Sequence, residues 1–183
     1  DATILIQDGK IVAVGTDVEI PEGTKTIDSQ GKHISPGLID CHSHIATDGG
    51  INETGQAITA EVRIGDTIDY NDINIYYQMA GGVTTSNILH GSANPIGGQN
   101  QVIKLRWGAN PAEMKFDGAP AGIKFALGEN VKQSNWGERA TGRYPQTRMG
   151  VDELMIDEFN AALHYREEWQ RWERDRRGLP PRR

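Results

Sequence analysis

Alternating apolar and polar positions at the start of the chain predict two short antiparallel strands. The runs at 3–7 and 10–14 are rich in β-branched residues, and the Asp8-Gly9 pair between them tolerates the positive φ angles of a tight hairpin turn. The run at 25–28 predicts a further short strand between two turns. Residues 1–34 are therefore expected to form part of a small β module.

Farther along the chain the apolar pattern predicts strands and helices in alternation. Residues 38–41 predict a buried strand, 71–80 a helix that ends at Gly81, and 83–89 a second strand. This order implies a parallel pair of strands with a right-handed crossover. A final apolar stripe from Val151 to Trp172 predicts a long helix.

Composition narrows the class of protein without indicating a chemistry. The 183 residues are 37% hydrophobic and 24% charged, and no apolar run is long enough to cross a membrane. A formal charge of −6 argues against general nucleic-acid binding, and a single cysteine excludes an internal disulfide. We therefore expect neither nucleic acid nor a membrane as a partner.

Two histidines follow the strand predicted at 38–41. Because side chains alternate along a strand, His42 and His44 should leave on the same side, whereas Cys41 and Ser43 point the other way. Two neutral imidazoles side by side can bind a divalent metal ion. A bare His-x-His is more often a pair of surface histidines than a metal site, so the surrounding motif has to decide.

The surrounding motif resembles the opening of a metal-dependent hydrolase of the amidohydrolase superfamily. It comprises Pro-Gly-x-Ile-Asp-x-His-x-His at 36–44, a Gly-Lys turn at 31–32 and Gly-Gly-Val-Thr-Thr at 81–85. The stretches at 91–99 and 121–130 are similar to the imidazolonepropionase-like branch of that superfamily. The resemblance covers nearly the whole chain.

The resemblance implies an α/β fold, a (β/α)8 barrel with a small β-sandwich built from both chain ends. It also implies hydrolysis of non-peptide or cyclic amide C–N bonds by metal-activated water, with a small-molecule amide as substrate and one or two divalent ions, typically Zn²⁺, as cofactor. His42 and His44 would be metal ligands. Such a barrel needs about 250 residues. We therefore expect a fragment, with a sandwich module at 1–34 and a partial TIM-like barrel at 35–183.

A second stretch with possible chemistry lies at 121–127. Alternation places Ile123 and Phe125 on one face and Lys124 on the small-residue face, which should line the barrel interior. A buried ammonium is costly, so Lys124 has to be neutralised, paired or modified. The resemblance implies a carboxylated, metal-bridging lysine; Lys124 is the first choice, and Glu129 at the strand end is the competing ligand. An ion pair is the structural alternative for both residues.

His90 ends the second predicted strand, at the edge where the histidine pair should also lie. It is predicted either as a catalytic residue that contacts the substrate or as a hydrogen-bonded loop histidine. The loop at 91–99 that follows is rich in small residues, which would let its backbone amides approach a polar substrate. The sequence leaves the two interpretations of His90 open.

A function of a different class also remains open. An incomplete barrel leaves an edge of unpaired backbone groups, which favours pairing with a partner subunit or formation of a homo-oligomer. The chain would then be a non-catalytic fragment that binds metal weakly or packs on a partner. The resemblance implies two more histidine ligands and a catalytic aspartate on later strands, beyond Arg183. We therefore expect the 183 residues alone to be inactive.

Overall fold

The computed structural model describes residues 2–182, which divide into two units after Pro36. The first unit contains an antiparallel hairpin of β1 (Thr3–Gln7) and β2 (Lys10–Gly15). Asp8 and Gly9 in its turn have φ angles of 51° and 73°. These positive angles match the right-handed twist of the two strands, so the predicted hairpin is confirmed.

The prediction of a third strand in this unit is wrong. Residues 25–28 form no β-ladder with any strand that the structure describes. Strand preference reflects packing against neighbouring strands more than an intrinsic backbone preference. A β-branched run without a partner therefore stays irregular.

The described part of the second unit contains five strands: β3 (Leu38–Ser43), β4 (Val83–Ile88), β5 (Ile96–Gln99), β6 (Gln101–Lys104) and β7 (Ile123–Phe125). One sheet has the order β3–β4–β6, and the other pairs β5 with β7. β3 and β4 are parallel, and helix α1 (Ile73–Ala80) lies between them in the chain. The predicted order of strand, helix and strand is therefore confirmed. The expectation that the first strand is buried is wrong, because Leu38 and Ile39 are 61% and 73% exposed.

The architecture is mixed α/β, but its strand order does not confirm a partial (β/α)8 barrel. Among the strand pairs within residues 2–182, only β3 with β4 is parallel, and β6 runs antiparallel to β4. β7, which carries Lys124, pairs antiparallel with β5 instead of joining the parallel sheet. The reason is that the chain after β4 doubles back through two short strands, β5 and β6, before it reaches β7.

Side-chain caps mark the start of α1 and of the short helix that follows β6. Asp72 caps α1 by accepting a hydrogen bond from the Asn74 backbone N–H, and a capping box starts α2 (Pro111–Met114). The predicted long helix is present as α3 (Arg148–Asp175), which ends at Arg176 in a left-handed conformation.

Within the described chain, none of the helices combines the length and apolar character needed to cross a membrane. Residues 2–182 also include three short 3₁₀ helices, at Ile64–Asp66, Gln133–Asn135 and Gly137–Arg139.

The main core of the second unit is built from β4, β6, α1 and the loops around them. Its buried residues are Ala46, Ile64, Ile68, Ile75, Ile88, Ile103, Leu105 and Met114. A smaller cluster of Ala126, Val131 and Val151 joins the end of β7 to the start of α3. Burying one isoleucine side chain stabilises a fold by about 1.5–3 kcal/mol. These clusters therefore anchor β4 and β7, next to the strand ends that carry the candidate site.

Candidate metal centre

Two imidazoles meet at the end of β3. His42 lies within this strand, and His44 directly follows its last residue, Ser43. The Nε2 atoms of the two histidines are 3.3 Å apart, and their rings meet edge to face with centroids 5.1 Å apart. Ser43 between them is buried. The alternation of side chains along β3 therefore brings both imidazoles to one point.

The main chain after the neighbouring strand β4 orients His44. Its Nδ1 lies 2.9 Å from the carbonyl oxygen of Leu89. Because a carbonyl oxygen can only accept, Nδ1 carries the proton and donates it, which leaves the lone pair of the neutral ring on Nε2. A hydrogen bond of this kind from the far ring nitrogen is how proteins orient histidine ligands of metals. The free Nε2 faces His42.

Lys124 reaches the same point from β7. Its Nζ lies 3.2 Å from Nε2 of His42. Burial lowers the pKa of Lys124. The pKa of His42 is lowered as well, first by the charge of Lys124 and then by burial and His44, against the opposing charge of Asp40. The surroundings of His42 therefore favour its neutral form.

The positions of the two imidazoles fit a divalent ion. Two nitrogen ligands of a tetrahedral zinc ion, each about 2.0–2.1 Å from it, are about 3.3–3.4 Å apart. The two Nε2 atoms have this spacing, at 3.3 Å. A protonated Lys124 does not fit, because an ammonium has no lone pair and repels a cation. An uncharged amine or a carbamate at Lys124 would fit.

Carboxylate and thiolate ligands do not complete the site within residues 2–182. In this part of the chain, no group of three or more His, Cys, Asp and Glu residues could hold a metal ion. His42, His44 and Lys124 are therefore the donors that the described chain brings together at this point.

His90 lies in the protein interior, with 3% of its surface exposed. Its Nε2 accepts a hydrogen bond from the Glu53 backbone N–H at 2.8 Å, so its Nδ1 is the protonated nitrogen and donates to the Gly91 carbonyl at 2.9 Å. A Cβ on Gly97 would come within 2.6 Å of the same ring, so this glycine lets β5 pack against it. Both ring nitrogens of His90 therefore hold loop backbone in place.

Glu129 lies in the exposed loop after β7. Its carboxylate forms an ion pair with Lys132 at 2.6 Å and accepts a hydrogen bond from the Asn135 side chain at 2.7 Å. The hydrogen bond with Lys132, followed by that with Asn135, lowers the pKa of Glu129. Within the described chain, the hydrogen bonds of this carboxylate go to these loop residues and not to the histidine pair.

One cleft in the described part of the chain is not lined by the histidine pair. It has a volume of about 600 Å³ and is lined by Ala60, Glu61, Val62, Arg63, Asp66, Gln99 and Ile123. Ile123 precedes Lys124 on β7, and the two side chains point to opposite faces of the strand. We therefore place the candidate chemistry at the histidines, where the donor atoms converge, and not in this cleft.

The sequence did not indicate a role for Arg143, whose guanidinium forms hydrogen bonds with the loop after β3 and the loop after β4. Its guanidinium lies over the ring of Trp136, 5.2 Å from the ring centroid. It donates hydrogen bonds to Thr54 O at 2.9 Å, Gln56 O at 2.7 Å, Ala93 O at 2.9 Å and Asn94 Oδ1 at 3.0 Å. Arg143 lies in an irregular loop without periodicity, so no sequence pattern indicated its partners.

Comparison with known proteins finds similarity to parts of longer proteins, among them a solved structure. No protein-family model matches the chain. The amidohydrolase tasK of Hapsidospora irregularis is 32% identical over 167 residues, which are 80% of this chain and 17% of tasK. An imidazolonepropionase of Staphylococcus aureus strain Newman is 47% identical over 53 residues, which are 29% of this chain and 13% of that enzyme.

The structural neighbour is an amidohydrolase from Thermotoga maritima MSB8. It superposes with a TM-score of 0.85 at 34% sequence identity, and the match covers 98% of this chain and 48% of the Thermotoga chain. This chain thus spans less than half the length of each of the three relatives.

Proposed function

Because the chain belongs to the amidohydrolase superfamily, we propose that it forms part of a metal-dependent hydrolase that cleaves amide C–N bonds in small molecules. The proposal rests above all on the two Nε2 atoms of His42 and His44, 3.3 Å apart at the end of β3. Zn²⁺ is the proposed ion, since it favours imidazole ligands at this spacing. The similarity to imidazolonepropionase over 53 residues favours cyclic amides among the substrates.

In this proposal His42 and His44 bind the ion through Nε2. The Leu89 carbonyl keeps the Nε2 lone pair of His44 available by fixing the proton on Nδ1. When bound, the ion supplies a water that ionises near neutral pH and a Lewis acid that polarises the substrate carbonyl. Both histidines must stay neutral to bind, and the lowered pKa of His42 favours that state.

Lys124 is proposed to complete the ligand set as a carbamate. Its uncharged Nζ would bond to the carbon of CO₂ and lose one proton to solvent, which converts a repelling cation into an anionic ligand. Burial lowers the pKa of Lys124 and so raises the fraction of free amine. Lys124 ranks ahead of Glu129 because its Nζ is 3.2 Å from His42, whereas the Glu129 carboxylate already pairs with Lys132.

The second candidate function is a non-catalytic subunit that binds metal weakly or packs on a partner. It is favoured by the small donor set within residues 2–182, where no cluster of three His, Cys, Asp and Glu residues forms. Two histidines and one lysine leave coordination positions to water, which makes the affinity modest. The two candidates differ in whether amide hydrolysis can be obtained.

Hydrolysis of a panel of cyclic and linear amides with Zn²⁺ tests the proposal. The chain is assayed alone and after mixing with a polypeptide that corresponds to the part of the Thermotoga amidohydrolase that it does not match. We expect zinc-dependent hydrolysis in the mixture, little or none with either piece alone, and loss of the activity in His42→Ala. Hydrolysis that survives both zinc removal and His42→Ala would refute the metal-dependent function.

A further inference from the structure

Lys124 and His42 come from different sheets, although their side chains meet. His42 belongs to the sheet β3–β4–β6, and Lys124 belongs to the sheet β5–β7. Within residues 2–182, no β-ladder joins β7 to β3 or β4. Another contact must therefore hold Nζ of Lys124 at 3.2 Å from Nε2 of His42.

Asn100 occupies the junction of the two sheets. It is the residue between the end of β5 and the start of β6. Its backbone N–H donates to the Gly122 carbonyl at 3.0 Å, just before β7, and its side-chain Nδ2 donates to Oδ1 of Asn87 at 2.7 Å. Asn87 lies on β4, and its own Nδ2 is 3.4 Å from the carbonyl oxygen of Cys41. This chain of hydrogen bonds connects the residue before His42 with the start of β7.

Gly122 allows the Asn100 side chain to pack directly against β7. A Cβ on Gly122 would lie 3.1 Å from Oδ1 of Asn100 and 3.4 Å from its Cγ. Gly122 and Lys124 are two positions apart, so they share one face of the extended chain. The amide of Asn100 therefore contacts the face of β7 from which Lys124 projects.

One polar atom of the Asn100 side chain is unsatisfied in the fold. Its Oδ1 is buried and has no hydrogen-bond partner among the described residues. An unsatisfied buried acceptor is costly, and an apolar residue at this junction would avoid that cost. The short hydrogen bond from Nδ2 to Asn87 accounts for an asparagine at this position.

We infer that the hydrogen-bonded pair of Asn87 and Asn100 positions Lys124 beside His42, an inference that rests on the proposed role of Lys124 as a metal ligand. The pair fixes β7 relative to the β3–β4 sheet, and so it fixes the point from which the flexible lysine side chain starts. Without the pair, β7 would keep its ladder with β5 but lose its side-chain link to β4.

The first test measures the position of Lys124 without any metal. Nuclear Overhauser effects between the ε protons of Lys124 and the His42 ring report their contact in the purified chain. We expect these signals in the unmodified chain and their loss in Asn100→Ala. The matched control is Asn130→Ala, which removes a 2.8 Å hydrogen bond to Ser92 between two loops and should retain the signals. Signals that are unchanged in Asn100→Ala would overturn the inference.

Variants of Asn87 keep the test decisive if Asn100→Ala does not fold. Asn87→Asp retains an oxygen that can accept from Asn100 Nδ2, whereas Asn87→Ala retains none. Asn87→Asp also loses the donor to Cys41, but β3 and β4 remain joined by their ladder. We expect the Lys124–His42 signals to persist in Asn87→Asp and to disappear in Asn87→Ala. Persistence of the signals in Asn87→Ala would show that the amide pair does not position the lysine.

A double-mutant cycle on zinc affinity tests whether Asn100 acts through Lys124. In bicarbonate buffer, Asn100→Ala should weaken Zn²⁺ binding by about 10-fold, as loss of an orienting residue typically does. The same substitution added to Lys124→Ala should cause no further loss, because the lysine it positions is gone. An equal loss in both backgrounds would overturn the inference. If the unmodified chain binds no Zn²⁺, the proposed function fails, and the metal-free signals alone decide on positioning.

Discussion

Arg143→Ala should destabilise the second unit by about 2–4 kcal/mol, mainly because hydrogen-bond acceptors in two loops lose their charged donor. The guanidinium connects the loop after β3 at Thr54 and Gln56 with the loop after β4 at Ala93 and Asn94. The first loop follows His44, and the second follows Leu89, whose carbonyl oxygen accepts a hydrogen bond from His44. Losing this one side chain therefore releases loops that are far apart in the sequence.

The magnitude follows from the partners that lose a donor. Asn94 is fully buried, so its Oδ1 becomes an unsatisfied acceptor at a cost of about 1–3 kcal/mol. The three backbone carbonyls lose charge-assisted hydrogen bonds, although water can replace part of them, and the contact with Trp136 contributes about 0.5–1 kcal/mol. The Nε of Arg143 is buried without an acceptor among the described residues, which offsets part of the gain.

Urea unfolding followed by tryptophan fluorescence measures the effect. Arg143→Lys should recover only a minor part of the lost free energy of unfolding, because a single ammonium cannot replace the several donors of a planar guanidinium. The control is Arg139→Ala on the exposed surface of the same loop, which should change stability by less than about 0.5 kcal/mol. A loss below about 1 kcal/mol in Arg143→Ala would refute the reasoning.

Two further predictions concern the scaffold of the site. Gly98→Ala should cost about 1–3 kcal/mol, because its Cβ would lie 2.6 Å from the Val62 carbonyl oxygen. Gly128→Ala, with no atom within 4 Å of the new Cβ, should be close to neutral, and equal losses in urea unfolding would contradict this. Asp72→Ala should cost about 1–2 kcal/mol at pH 7, because the carboxylate caps α1 and accepts from the Ala46 N–H at 2.7 Å. Burial is the largest influence and raises the pKa of Asp72, but the hydrogen bonds together lower it below its ordinary value. This stabilisation is therefore present above about pH 4 and is lost as the pH falls through the lowered pKa, so a deficit that persists in acid would contradict it.

Much of the local structure could be predicted because it depends on neighbouring residues. The period of two along β3 places His42 and His44 on one side whatever the rest of the chain does. The hairpin turn at Asp8 and Gly9 is likewise set by the φ angles that these two residues tolerate. The long helix α3 follows from an apolar stripe with helical spacing.

Strand partners could not be predicted in the same way. Alternation identifies β7 as a strand with Lys124 on one face, but it does not say which strand lies beside it. The pairing of β7 with β5 depends on the chain reversal around Asn100, a single residue whose hydrogen bonds reach Asn87 and Gly122. Long-range contacts of this kind leave no periodic signal in the sequence.

The burial and hydrogen-bond partners of individual polar residues could not be predicted from the sequence either. His90 lies two residues after the end of β4, and its two ring nitrogens form hydrogen bonds with loop backbone at Glu53 and Gly91. Arg143 comes from a loop without a pattern, and it donates to main-chain carbonyls that any residue type would offer. Burial and hydrogen-bond partners, which distinguish such roles, are properties of the folded chain.

Calorimetric titration with Zn²⁺ tests the central claim, that His42 and His44 form a metal site. We expect binding to the 183-residue chain and its loss in the double variant His42→Ala/His44→Ala. The matched control is His33→Ala/His164→Ala, which removes two histidines outside the pair and should leave the affinity unchanged. Loss of binding in the first double variant alone would support the site, whereas equal zinc affinity in the unmodified chain and in His42→Ala/His44→Ala would contradict it.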